Sequence, residues 1–328
     1  MPPTLGDQGL RGDSAGRQTA LERAWSPRAR RAGARALGAA AAIATSIVLL
    51  ALVRGSAHPR WLAGAAGLAL GAWVVRGASR WRTPLAALFA TLALLLLDVQ
   101  RFDAQDTRPT ALVPFAMLRT GRISFDSLAE LGLADQPYWL VRSGSRLVSR
   151  YPIGSAVLAL PVFVPAALGR FDLTATDQLA ALEQIAASTL TACGAALLFL
   201  ALRRLGGARA AVWTCAAYLL GTGILPCVGQ RLWQHTGAIF ALSAAAAALV
   251  CARKPLGRGA LVGLALGCAV ACRPVDALLA AAFLAALAWD DRRALPAAVC
   301  AMAAPLALAA STTRASSAEL GRPATAAR

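Results

Sequence analysis

The stretch 145–163, SRLVSRYPIGSAVLALPVF, decides the topology of the whole chain. Its first half carries Arg146 and Arg150 in a run that alternates like a β-strand. At Tyr151-Pro152 it passes at once into an apolar segment, 152–169. That segment either crosses a membrane or dips in and returns on the same side. Every later segment changes sides with the choice.

The chain is 58% hydrophobic, has a mean hydropathy of +0.57 and is only 15% charged. Soluble domains carry about a quarter charged residues, so this composition reads as a membrane protein. The net charge of +17 is almost all arginine, with Lys254 the sole lysine. The arginines fall between apolar runs, where positive charge sets topology. That role accounts for the basic balance better than nucleic acid as a partner does. The seven cysteines (193, 215, 227, 251, 268, 272 and 300) all sit in or at the ends of apolar segments. No CxxC pair occurs, so they read as small buried residues rather than a metal cluster or a disulfide framework. Residues 1–35 are polar and Arg-rich, a disordered cytoplasmic tail with no cleavable signal peptide. Arg30-Arg31 is not a twin-arginine signal, because a good anchor follows it.

A spanning helix needs about 20 apolar residues. The segments 36–53, 61–77, 84–99, 179–202, 210–227, 234–251, 259–272, 275–290 and 295–311 qualify or nearly qualify. The expectation is an all-α polytopic bundle of about nine transmembrane helices over 36–311. Residues 100–151 form one long extracytoplasmic loop, and 312–328 an irregular tail. Segments 259–272 and 275–290 are short and flank Arg273-Pro274, as one broken or tightly turned unit.

Positive charge favours the cytoplasmic side. The basic tail puts the N-terminus inside, so Arg80 and Arg82 also fall inside and 100–151 outside. If 152–169 spanned, RRLGGAR (203–209), ARKPLGR (252–258) and Arg292-Arg293 would all lie outside. If 152–169 is re-entrant or interfacial, all three return inside. The second arrangement is expected, and it puts Trp233, His235 and Arg273 on the outer side with the loop.

The loop has structure of its own. Leu112, Phe115 and Leu118 recur at helical spacing between Asp106 and Gly121, predicting a short interfacial helix. The runs around Ser143-Gly144 predict a β-hairpin. Of sixteen acidic residues in the chain, Asp98, Asp103, Asp106, Asp126, Glu130 and Asp135 cluster at or in this loop. A carboxylate at a membrane surface can serve as a general base towards an acceptor hydroxyl. Asp106, at the start of the interfacial helix, is the best placed; its plain alternative is an N-cap. Asp103 shares its face if the turn is helical, and otherwise is a solvated loop acid. Asp126 could cap a second short helix.

His235 can bind a phosphate or carry a proton, or can simply sit at the interface beside Trp233. His58 reads as solvated. Arg273 interrupts apolar sequence. Its plain reading is a pair with Asp276, and its functional reading a cation for a phosphate. Glu183 is an ionisable group embedded in an apolar helix, with its role open. Tyr151-Pro152 and Gly154 mark a rigid turn that would bring a phenol beside the loop carboxylates, or else leave Tyr151 as an aromatic anchor at the interface.

The order of these motifs resembles the multi-spanning bacterial glycosyltransferases of the C-type superfamily (GT-C), relatives of the protein O-mannosyltransferases and the lipid A aminoarabinose transferases. The residues that carry the resemblance are YPIGSAVLALPVF, LWQH and GLALGCAVACRP. With them go Asp106-Thr107, Pro109, Val113-Pro114-Phe115, Leu118-Arg119, Gly121 and Phe125-Asp126. The similar region runs from about residue 97 to 290. The resemblance implies a sugar on a polyprenyl phosphate as donor and a lipid, glycan or protein acceptor. It implies transfer on the outer side of the bacterial inner membrane. Asp106 would be the base, with Asp103 and Asp126 as further catalytic candidates. Arg273, His235 and Tyr151 would hold the donor phosphate. A divalent metal requirement is left open. The chain departs from the family in two helices that precede the loop. It departs again in the polar stretch after 311, which suggests a truncated or frameshifted end. A transporter, a lipid flippase or an inactive remnant are the competing readings.

Overall fold

The computed structural model describes residues 105–320 except 129, 130, 132–136, 144 and 170, together with helical residues 88, 91, 92, 95 and 96. The basic tail, the expected helices 36–53 and 61–77 and most of 84–99 lie outside the described residues. So do His58, Arg80, Arg82, Asp98, Asp103, Glu130, Asp135 and residues 321–328.

Local sequence accounts for the loop. Helix α1, Arg108–Thr120, begins with Pro at its first turn and stops at Gly121, whose φ of 67° is left-handed. Proline suits a first turn, where its missing N–H is no loss, and Gly takes the left-handed cap without strain. Strands β1 (Leu140–Ser143) and β2 (Arg146–Ser149) pair antiparallel, with Val141 opposite Val148. Aromatic contacts fix these pieces. Phe115 meets Phe163 edge-on at 5.5 Å and stacks on Phe171 at 5.3 Å, while Phe125 meets Trp139 edge-on at 6.0 Å. Such pairs add about 0.5–1.5 kcal/mol each beyond their burial.

Helix α2, Gly154–Leu168, follows the hairpin. Helix α3, Thr176–Leu220, is two limbs joined at Gly207, where φ 82° and ψ 175° leave helical space. The limbs run antiparallel: Phe199 packs on Ala211 and Cys215, and Ala195 on Leu219. The expected helix 210–227 is therefore corrected. It ends at Leu220, and Ile224–Val228 form a π-turn; Gly221, Gly223 and Pro226 break the regular ladder. Helix α4 spans Gln234–Cys251 and α5 Pro255–Cys272, four residues earlier than expected because Pro255 opens it. A 3-10 turn, Pro274–Asp276, separates α5 from α6, Ala277–Asp290, so of the two expected arrangements the tight turn is the one present. Helix α7 runs Leu295–Leu320. It continues past residue 311, where an irregular tail was expected, because no Gly or Pro occurs between Leu306 and Leu320.

Among the described residues the protein is a mostly helical bundle. Four helical stretches among them are long and apolar enough to cross a membrane: α3, α4, α5 and Arg292–Ala310, the 3-10 turn before α7 together with its apolar part. Helix α2, at 15 residues, is about 22 Å long at ~1.5 Å per residue, short of a ~30 Å hydrocarbon core.

The packing sorts the connections to two ends. At one end Cys251 Sγ lies 4.0 Å from the Leu200 carbonyl, and Arg258 pairs with Asp290 at 2.5 Å. The exposed Arg203, Arg204, Arg209, Arg253, Lys254, Arg292 and Arg293 all belong to this end. The opposite end holds the 105–153 loop, the 221–233 connection and the 273–276 turn. Helix α2 starts there, with Gly154 against Ala271 and Cys272. It returns there too, since Phe171 lies over Phe115 of α1. All three basic connections thus share one end, as a non-crossing 152–169 requires.

Helices α5 and α7 pack through a stripe of small residues. A Cβ at Gly259 would overlap the Ala294 carbonyl, one at Gly263 the Ala298 carbonyl, and one at Gly267 would stand 2.7 Å from the Met302 carbonyl. Small residues every fourth position let two backbones meet, the usual device where lipid supplies no hydrophobic drive between helices.

Candidate functional site

Asp106 lies in a 3-10 turn, Gln105–Thr107, just before α1. It does not cap that helix. Thr107 holds the N-cap position, and the Asp106 carboxylate turns to two phenols instead. Tyr151 Oη donates to Asp106 Oδ1 at 2.9 Å, and Tyr138 Oη donates to the same oxygen. Among the described residues nothing donates to Oδ2. The half-buried carboxylate therefore keeps one oxygen for another donor. The hydrogen bond to Asp106 pushes the Tyr138 phenol up to about 12, with partial desolvation and the charge of Asp106 acting the same way. Burial, then the bond to Asp106, raises Tyr151, and Arg150 opposes. Both phenols thus stay protonated and donating across neutral pH.

Asp126 is spent elsewhere. It is exposed, and its Oδ1 accepts the Leu147 amide at 2.9 Å, tying the turn Phe125–Ser127 to strand β2. Its geometry is that of a hairpin anchor.

A second cluster forms where α4 and α5 meet. His235 is exposed and stacks on Trp233 at 6.4 Å with the planes 16° apart. It lies within electrostatic range of both Arg273 and Asp276. Arg273 pairs with Asp276 at 3.8 Å, with about a third of the arginine side chain exposed (35%) and the aspartate buried (7%). That distance exceeds a hydrogen bond, so the aspartate balances the guanidinium charge without occupying its N–H groups.

The stretch Tyr151–Ser155 joins the two clusters. Tyr151 reaches Asp106. A Cβ at Gly154 would stand 2.5 Å from the Cys272 amide, next to Arg273, and Ser155 Oγ donates to the Gln234 carbonyl at 3.0 Å, next to His235. Four residue steps span at most about 14 Å of extended chain. The carboxylate and the cation–imidazole pair therefore flank one short segment at one end of the bundle. Tyr151 stands with the carboxylate in this arrangement, as its turn implied, and Arg273 and His235 stand together.

Below the site a buried polar ladder from α3 holds the 228–236 segment. Glu183 accepts from Arg231 Nη1 at 3.1 Å and from the Leu232 amide at 3.0 Å. Gln184 Nε2 donates to Gln230 at 2.6 Å, and Ser188 Oγ to the Gly229 carbonyl at 2.8 Å. An apolar cavity of about 280 Å³ opens beside Gly154, lined by Val157, Leu158, Leu264, Cys268 and Pro305 among others. Tyr138, Thr107 and Arg231 were not legible as site residues. Tyr138 sits outside any pattern, and Arg231 looks like an ordinary interfacial arginine. No protein-family model, curated protein or solved structure matches this chain.

Proposed function

We propose that the protein is a membrane glycosyltransferase that moves a sugar from a polyprenyl-phosphate donor to a lipid, glycan or protein acceptor on the outer face of a bacterial inner membrane. The observation that supports this reading is the Tyr151–Ser155 junction. It puts the Asp106 carboxylate, whose Oδ2 has no donor among the described residues, near the Arg273 guanidinium and the His235 imidazole, at the end of the bundle away from the basic connections. In this reading Asp106 takes the proton of the acceptor hydroxyl, and Arg273 with His235 holds the donor phosphate. Positioning and charge stabilisation are what such a transfer asks of a protein. The donor's chain would lie along the apolar cavity beside Gly154, keeping the reaction at the interface.

The test is transfer in membranes that contain the full chain, supplied with a panel of labelled polyprenyl-phosphate sugars. Label moving into an acceptor fraction only when the chain is present is the expected result. No transfer from any donor, with acceptor lipids and glycans supplied, would sink the reading. Orientation has its own check. Cys227 is an exposed thiol in the 224–228 turn, at the loop end of the bundle. A membrane-impermeant maleimide should label it in intact spheroplasts, whereas Arg293→Cys in a Cys227→Ser background should react only after the membrane is opened. The reverse pattern would place the loop inside and rule out an outer-face enzyme.

A further inference from the structure

Glu183 is 3% exposed, yet it gathers donors from two other parts of the chain. The first is the 231–232 segment, through the Arg231 guanidinium and the Leu232 amide. The second is the Thr107 hydroxyl, beside Asp106. Thr107 occupies the N-cap of α1, where a threonine hydroxyl usually bonds its own helix. Here it makes no such cap bond. A buried hydroxyl at a position favouring local capping is turned instead to a carboxylate on α3. Asp106 sits half-buried in a three-residue 3-10 turn, and among the described residues its hydrogen-bond partners are the two phenols.

We propose that Glu183 is a positioning residue, which through Thr107 holds the Asp106 carboxylate against Tyr138 and Tyr151. The same carboxylate holds Arg231 and Leu232, three and two residues before Gln234, so one buried group sets the spacing between the two clusters. Its importance for catalysis rests on the reading of Asp106 as the base, but the measurement of the positioning does not. The alternative is that Glu183 only neutralises Arg231, in which case removing the Thr107 hydroxyl leaves Asp106 where it is.

The chain has three tyrosines, so a Tyr218→Phe background leaves only Tyr138 and Tyr151 to titrate. Tyrosinate absorbance of the purified full chain in nanodiscs, followed with pH, reads their bonds to Asp106. Asp106→Asn marks the state without the carboxylate charge and its charge-assisted bonds, with the Tyr138 titration moved down from about 12 towards the ordinary value. Thr107→Val, nearly isosteric, is expected to give at least half that downward shift, and Thr107→Ser to titrate like the parent. Glu183→Ala combined with Arg231→Leu, which leaves no buried charge behind, is expected to follow Thr107→Val. Should that pair fail to fold, the threonine variants decide alone. A Thr107→Val curve that overlays the parent overturns the proposal, and so does an Asp106→Asn curve that fails to move. Absence of sugar transfer leaves all of these readings intact. Where transfer is present, Thr107→Val should lower kcat with KM unchanged, because it disturbs the base and not the donor site.

Discussion

Asp106→Asn is expected to lower sugar transfer by about a thousandfold, with donor KM changed little. A positioned general base typically supplies 10²–10⁴ in rate. Asparagine keeps the shape and can still accept from both phenols, so the loop should keep its fold. What it loses is the basic oxygen: an amide cannot take the acceptor's proton. The structure makes this substitution informative, because both phenols end on Oδ1 and the N-cap position belongs to Thr107. Had Asp106 been the N-cap, the same change would have altered the helix end as well. Single-turnover transfer with saturating donor is the measurement. A variant within about tenfold of the parent would remove Asp106 from the chemistry, and the proposed reaction with it.

Gly263→Val is expected to be the most damaging single change in the bundle. A Cβ there overlaps the Ala298 carbonyl, and its nearest neighbours are backbone atoms that cannot swing aside. The helices must separate, which also opens the contacts at Gly259 and Gly267. Overpacking in a tight interior costs about 1–3 kcal/mol, and more when backbone must move. Loss of the monodisperse peak in detergent gel filtration, or a Tm lower by several degrees, is the expected outcome. Gly257→Val is the control, since a Cβ there meets nothing within 4 Å. Equal stability for the two variants would mean that α5 and α7 do not pack as described.

The sequence alone went far where one residue's chemistry settles the matter. Pro109 and Gly121 set the ends of α1, Ser143-Gly144 marked the hairpin, and Arg273-Pro274 marked the break between α5 and α6, all from local backbone preferences. It was weaker on lengths. Helix α7 outran its apolar stretch because polarity does not stop a helix, whereas Gly221, Gly223 and Pro226 stopped the second limb of α3 inside an apolar one. The glycines at 259, 263 and 267 are visible as a small-residue face. Their partners on α7 are not, because nothing local says which helix will lie against them.

The site divides in the same way. Composition, hydrophobic runs and the placing of arginines determined a helical membrane protein whose basic connections share one end, because insertion into lipid is decided by segment polarity and charge. Only tertiary structure decided that Asp106 turns to Tyr138 and Tyr151 rather than to its own helix, that Asp126 anchors the hairpin, and that Glu183 joins Thr107 to Arg231. Those choices depend on which donors folding brings within about 3 Å, across separations of up to 48 residues between Glu183 and Arg231, and a hydrogen bond falls away steeply beyond that distance.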